Sequence, residues 1–227
     1  MSILAASLAA ALPQDCLLCG AAGVEYLLCA ACAADLPRPP ACHCPICGEA
    51  VPSASPCGAC LNKPPAFDAT VVAFRYAFPV DKLVQALKYG HRLAIADYFA
   101  AAMLSGQRPD SDLVIPLPLS RERLRQRGFN QAVEIARPRA RALGLPLLLD
   151  GCARVLDTAA QATLPWQARR KNVRHAFECA VDLAGKWAIV VDDVMTSGAT
   201  LDEFASVLKV HGATRVTNWV AARALRN

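Results

Sequence analysis

Residues 190–200 read Val190-Val191-Asp192-Asp193-Val194-Met195-Thr196-Ser197-Gly198-Ala199-Thr200. The continuous apolar run from Trp187 to Val191 leads into them, as expected of a central parallel strand buried on both faces. It ends in two carboxylates, after which a loop of small residues opens into a helix with apolar positions at Leu201, Phe204 and Leu208. The loop, Met195 to Thr200, offers successive backbone N–H groups, the hydroxyls of Thr196, Ser197 and Thr200, and the positive end of the helix dipole. Together these make a cradle for one phosphate, and Gly198 permits the close backbone approach that a phosphate needs. Two acids beside a phosphate repel it unless they face something neutral or a cation. Ribose 2′- and 3′-hydroxyls and Mg²⁺ both meet that condition. The stretch therefore suits a 5-phosphorylated ribose, with its phosphate in the loop and its diol on Asp192 and Asp193. An acidic pair with another task, as in a response-regulator-like pocket, is the competing reading. G-x-x-x-x-G-K-[ST] and G-x-G-x-x-G motifs are absent.

Outward from this core, strand and helix signals alternate. Phe67 to Phe78 is rich in β-branched and aromatic residues and predicts an edge strand or hairpin arm. Val80, Leu83, Val84 and Leu87 fall at helical spacing, and Leu93 to Leu104 predicts a second helix. Asp112-Leu113-Val114-Ile115 is a short apolar run ended by Pro116 and Pro118, hence a buried strand entering a constrained loop. Asn130 to Leu143 predicts a helix closed by Gly144, in which Pro138 must kink or break the chain. Gly212 closes the helix that begins at the phosphate loop, and Thr214 to Ala221 supplies one more strand. This order predicts an α/β fold, a parallel sheet flanked by helices on both faces.

Charge marks where an anion could sit. Between Arg121 and Arg174, twelve basic residues against four acids leave a net +8. Arg121, Arg123, Arg125 and Arg127 alternate ahead of Gly128-Phe129-Asn130-Gln131. Arginine forks match phosphate oxygens bidentately, and Gly128 permits loop movement. A solvated basic helix start is the plainer reading, because four alternating arginines cannot all face one ligand. DNA phosphates are another candidate for this segment, but Phe129, Trp166 and Phe177 make a sparse stacking platform.

Nine of the 11 cysteines lie between Cys16 and Cys60. Eight of them form Cys16-x-x-Cys19-Gly20 with Cys29-x-x-Cys32, then Cys44-x-x-Cys47-Gly48 with Cys57-x-x-Cys60. A C-x-x-C turn delivers two thiolates from one bend, and two such bends complete a tetrahedral Zn²⁺ site. Two Cys₄ zinc ribbons, sequential or interleaved, follow from the pattern. Disulfides, a redox C-x-x-C and an iron–sulfur cluster are the alternatives. Cys42 and His43 are spare ligands, and Cys152 and Cys179 read as lone core residues. Two basic residues against four acids up to Ala66 leave −2. Eight thiolates around two zinc ions would bring the module to about −6. Such a charge suits scaffolding or protein docking better than nucleic acid.

Pro and Cys thin out after Asn62-Lys63-Pro64-Pro65, which reads as a stiff connector. The expected division is thus residues 1–65 and 66–227. With 227 residues and 55% hydrophobic content, the chain can build a core in the larger part. No apolar run reaches the roughly 18–20 residues that cross a bilayer, so a soluble protein is expected, not an integral membrane one. The apolar start, Met1 to Leu12, lacks a basic n-region, which favours a short amphipathic helix over a signal peptide.

Residues 190–200 also resemble the signature of type I phosphoribosyltransferases, in which the paired acids contact the ribose hydroxyls and the loop holds the 5′-phosphate. Taken with the double zinc ribbon, Pro116-Leu117-Pro118, Arg127 to Gln131, and the stretch carrying Gln161, Arg169, Arg170, Asn172 and Phe177, the chain is similar to the ComF family of competence-associated proteins. That resemblance implies a type I phosphoribosyltransferase-like domain that binds phosphoribosyl pyrophosphate with Mg²⁺. Pro116, Leu117, Pro118 and Arg121 would lie on its pyrophosphate side, and Lys88, in Leu87-Lys88-Tyr89-Gly90, near the hood over the site. If a transferase acts there, Asp192 and Asp193 orient the ribose, and Arg127 helps to stabilise the departing charge. The acceptor is not legible. The resemblance further implies a cytoplasmic role in natural transformation, with single-stranded DNA or proteins of the DNA-uptake machinery as partners. A non-catalytic DNA-binding or docking factor of DNA import is the alternative.

Overall fold

The computed structural model describes residues 14–22, 24, 27–103, 110–156 and 173–225. The expected helix at Met1 to Leu12, and Gln161, Trp166, Arg169, Arg170 and Asn172, lie outside them.

The main sheet has four strands in the order β1-β6-β5-β2, all parallel. They are β1 (Ala69–Arg75), β2 (Leu113–Pro116), β5 (Trp187–Met195) and β6 (Arg215–Arg223). The apolar run at Trp187 to Val191 is internal because β6 and β2 flank it on either side. β1 is an edge strand, parallel to β6 and so no hairpin arm. Side chains alternate between the two faces through the middle of β5 and β6. Ile189, Val191 and Trp219 join one core cluster, and Ala188, Val190, Val216 and Val220 join the other.

Helices α3 (Val80–Gly90), α4 (Ala94–Ala102) and α6 (Gln131–Leu143) supply Leu83, Phe99 and Ile135 to the first face. The second face is covered by α7 (Ala199–Val210) through Leu201, Phe204 and Leu208, and by the small antiparallel pair β3 (Cys152–Arg154) and β4 (Phe177–Cys179). A further short helix, α5 (Arg121–Arg127), joins β2 to α6. Pro138 does not end α6, which runs unbroken from Gln131 to Leu143. Proline forfeits one backbone bond there, while burial of Ile135, Ala136, Arg139, Ala140 and Leu143 fixes the helix on the sheet.

The amino-terminal part carries α1 (Ala30–Ala34) and α2 (Gly58–Asn62), each one short turn beside a cysteine pair. Its two halves dock on opposite faces of the sheet. Cys16, Leu28 and Leu36 enter the first cluster, whereas Ile46 and Cys47 pack against the second. Among the described residues, no helix is long and apolar enough to cross a membrane.

Candidate functional site

The strand β5 does not stop at its acids. It continues through Asp192 and Asp193 to Met195, paired with β6 up to Arg223. On the other side its partner β2 ends at Pro116, opposite Val191. The carboxylates therefore stand where one neighbour has run out, at the carboxyl ends of the strands, where open α/β sheets place their ligands. A cavity of about 590 Å³ opens there.

Within it, side-chain alternation decides what each acid meets. Asp193 shares the parity of Ile189 and Val191 and so turns toward α3, where Lys88 Nζ lies 2.8 Å from its Oδ2. Burial alone would lower the Lys88 pKa, but the charge of Asp193, its hydrogen bond and the charge of Asp192 outweigh it and raise it. Asp192 is half-buried, and its Oδ1 accepts the Asp193 N–H at 2.9 Å. Burial first, and then the charge of Asp193, push it up to about 7, against the pull of Lys88.

Leu117, Pro118, Arg123, Arg127, Thr196 and Thr200 line the same cavity. The arginines divide by helical spacing. Arg123 and Arg127, four residues apart on α5, face the acid pair, whereas Arg121 and Arg125 line a second cavity of about 790 Å³ with Pro116. Pro116 and Arg121 therefore do not share the acid-pair cavity with the other expected residues. Pro116 is still in β2, paired with Val191, and Arg121 begins a helix whose opposite side faces the acids. Arg127 is held twice, donating to Gln131 Oε1 at 2.9 Å and lying 5.6 Å from the Tyr89 ring centre. Asn130 ties the loop to α6. Its Nδ2 donates to the Leu117 carbonyl at 3.0 Å while its Oδ1 caps Ala132 N–H at 3.0 Å.

A short turn of small residues leads from β5 into α7. Gly198 is left-handed at φ +78 and serves as the N-cap. A Cβ there would meet Met195 Cε at 2.7 Å. Thr196 and Thr200 face the acid-pair cavity, whereas Ser197, Gly198 and Ala199 line a cavity of about 320 Å³ on the zinc-ribbon side. Met195 is buried beneath the loop.

Two arginines emerge that no sequence motif marked. Arg154, on the three-residue β3, borders both larger cavities and lies 5.5 Å from the Phe177 ring centre. Arg223, at the end of β6, is 3% exposed and binds loop and ribbon together. Each ends a strand whose local pattern is ordinary; only the neighbours brought by tertiary pairing give it a role.

The cysteines form two sequential quartets, Cys16/Cys19/Cys29/Cys32 and Cys44/Cys47/Cys57/Cys60, with all four sulfurs of each within 4.8 Å of one another. They fit two structural Zn²⁺ ions. The backbone repeats in both. Cys29 N–H donates to Cys16 Sγ and Cys57 N–H to Cys44 Sγ, each at 3.3 Å. The amides of Cys19 and Cys29 pull the Cys16 thiol down to about 6, while hydrogen bonds to Cys29 and Cys19 push Cys32 up to about 12, so without metal the quartet favours a thiolate at Cys16. Cys42 and His43 stand outside both quartets, His43 Nδ1 lying 2.9 Å from the Pro40 carbonyl. Cys152 and Cys179 are not lone: the β3–β4 register sets them opposite each other, with Sγ atoms 3.2 Å apart.

Comparison with known proteins adds identity to this geometry. A family model described as a double zinc ribbon domain matches residues 7–61. A DNA utilization protein, YhgH, of Escherichia coli O157:H7 is 35% identical over 193 residues, covering 80% of this chain and 84% of its own. Competence protein F of Haemophilus influenzae is 32% identical over 209 residues, 87% of this chain and 90% of its own. A ribose-phosphate pyrophosphokinase of Shewanella oneidensis is 36% identical over 64 residues, 28% of this chain and 20% of its own. Among solved structures, a glutamine phosphoribosylpyrophosphate amidotransferase from B. subtilis, complexed with ADP and GMP, aligns over 55% of this chain and 24% of its own at 23% identity. Its TM-score is 0.35.

Proposed function

The chain belongs to the ComF family, that of competence protein F and the DNA utilization proteins, and from that premise we propose that it binds phosphoribosyl pyrophosphate in the service of DNA uptake. The observation that carries this reading is the single cavity holding Asp192, Asp193, Thr196 and Thr200 together with Arg123 and Arg127. Asp192 and Asp193 take the ribose diol, and the amides and hydroxyls of Met195, Thr196, Ser197, Gly198, Ala199 and Thr200 take the 5′-phosphate. Arg127, Arg123, Leu117 and Pro118 take the pyrophosphate, while Lys88, 2.8 Å from Asp193 Oδ2, holds that acid in place. Pro116 and Arg121 line the adjoining cavity instead. The carboxyl-terminal part, residues 66–227, is then a type I phosphoribosyltransferase-like unit carrying the ribbons of residues 1–65.

Mg²⁺ fits as a companion of the ligand rather than as a resident of a carboxylate cage. Asp193 is committed to Lys88 at 2.8 Å, so Asp192 is the carboxylate that would hold Mg²⁺ arriving with the ligand. Its contribution there would be charge neutralisation. If turnover occurs, the C1–O bond to pyrophosphate breaks as a bond from C1 to an acceptor nitrogen forms, the acceptor's proton leaves to solvent, and pyrophosphate departs with the electron pair. The protein's part is positioning and electrostatic stabilisation: the acids hold the ring, and Arg127, fixed by Gln131 and Tyr89, meets the growing negative charge.

Arg121 and Arg125 stand away from the acid pair, which supports a second reading in which this side meets single-stranded DNA or a protein of the uptake machinery. Salt separates the two. Phosphoribosyl pyrophosphate in a Mg²⁺-assisted cleft should weaken modestly between 50 mM and 200 mM salt. DNA held by several arginines should weaken by about tenfold or more per few contacts. A steep salt slope together with no measurable metabolite binding would replace the first reading by the second.

A further inference from the structure

We propose that Arg223 is a positioning residue for the 5′-phosphate loop, and that the second zinc ribbon, not the first, sets the geometry of that loop. The proposal rests on the reading of residues 195–200 as the phosphate cradle. It goes beyond that reading by making one metal centre part of the ligand site.

The contacts form a continuous relay. The Arg223 guanidinium donates from one terminal nitrogen to the carbonyls of Met195, at 3.3 Å, Thr196 and Ala224. Its Nε donates to the Cys47 carbonyl at 2.8 Å, and its other terminal nitrogen meets Glu49 Oε2 at 3.2 Å. Cys47 is itself one of the second quartet. One buried side chain thus holds two consecutive carbonyls of the loop and the backbone of a metal ligand.

Peptide geometry gives this a consequence. In a planar trans peptide the C=O and the following N–H point in opposite directions. The Met195 carbonyl also accepts the Ala224 N–H at 3.0 Å; drawing it and the Thr196 carbonyl toward Arg223 turns the N–H groups of Thr196 and Ser197 away from the ribbon. Those are donors the cradle needs, and an anion site depends on their being fixed in advance. Each charge-assisted bond from a buried guanidinium is among the stronger bonds a protein makes.

The ribbon end is equally constrained. Three consecutive carbonyls of the second knuckle accept bonds from the main sheet: Pro45 from Thr70 N–H at 3.1 Å, Ile46 from Thr70 Oγ1 at 2.6 Å, and Cys47 from Arg223. Gly48 completes the turn at φ +70, so close to β1 that a Cβ would meet Val72 Cγ2 at 2.8 Å. The turn keeps this shape when its thiolates are gathered on a metal, since ligand binding and local folding are one process in such knuckles. The first quartet is placed differently. It packs through Cys16, Cys29 and Cys32 against the cluster on the opposite sheet face, away from the Cys47 and Glu49 contacts of Arg223.

The experiment compares zinc-loaded full chains carrying Arg223→Met, Arg223→Lys, Cys47→Ser/Cys57→Ser in the second quartet, or Cys19→Ser/Cys29→Ser in the first. Two readouts are taken: hydrogen exchange of peptides covering residues 196–200 and 113–118, and calorimetric affinity for ribose 5-phosphate and for inorganic pyrophosphate. Arg223→Met and the second-quartet variant should speed exchange at 196–200 and weaken ribose 5-phosphate about tenfold, the worth of one such bond. Pyrophosphate affinity and exchange at 113–118 should stay within about twofold of wild type. Arg223→Lys should recover part of the loss, and the first-quartet variant should match wild type in both readouts. Unchanged exchange at 196–200 in Arg223→Met would overturn the proposal, as would equal losses for both ligands or an equal effect from the first quartet. A wild-type chain that binds neither ligand would remove the phosphate-cradle reading, and the exchange measurement would still decide whether the second ribbon governs the loop.

Discussion

Asp192 holds a proton more tightly than an ordinary aspartate, because it is half-buried beside Asp193. Raising a carboxyl from its ordinary value of 3.8 to about 7 means that the unfolded chain releases this proton first as pH rises. The native state of the unliganded protein therefore loses stability from about pH 4 upward, and the loss is complete above pH 7. Asp192→Asn should raise the melting temperature at pH 8 by a few degrees, with the gain shrinking toward pH 4; calorimetry at three pH values checks it. Lys88 is the complementary case. Its pair with Asp193 leaves only 19% and 9% of the two side chains exposed, and breaking a pair so nearly buried strands the carboxylate. Lys88→Met should cost about 2–4 kcal/mol in urea unfolding, and Asp193→Asn in the same chain should restore most of it.

Helix α7 and the loop before it can be tested as a unit. Gly198→Ala would force a side chain into a left-handed residue and against Met195 Cε at 2.7 Å. That strain, about 1 kcal/mol or more, is relieved by shifting the helix start. Gly198→Ala should therefore weaken ribose 5-phosphate binding while leaving pyrophosphate affinity nearly unchanged in the same titration. At this scale the sequence was informative where periodicity is strong. The apolar run at Trp187 to Val191, the spacing of Leu201, Phe204 and Leu208, and Asn130 to Gly144 all correspond to observed elements. Of the kink or break it allowed at Pro138, the break does not occur, because local cost says nothing of the packing that offsets it. It also left the four arginines of Arg121 to Arg127 undivided, since their split needs the helix to be placed against the sheet. The Cys152–Cys179 pair and the roles of Arg154 and Arg223 depend on strand pairing between distant segments, which no local pattern encodes.

As a whole, the molecule is a parallel sheet with one zinc ribbon on each face. The quartets were legible because spacing alone defines a Cys₄ site; their sequential pairing required the fold. Denaturing the purified protein in the presence of a zinc-sensitive dye should release two Zn²⁺ per chain, and Cys47→Ser/Cys57→Ser should release one. Acid should speed the loss, because each thiolate that takes up a proton ceases to be a ligand. The account turns on whether the tip of β5 grips a phosphorylated sugar. The direct measurement is titration of phosphoribosyl pyrophosphate, with and without Mg²⁺, into wild type and into Asp192→Asn/Asp193→Asn. The account predicts Mg²⁺-strengthened binding in wild type and none in the double variant, with both proteins folded. Equal binding by the two would contradict it.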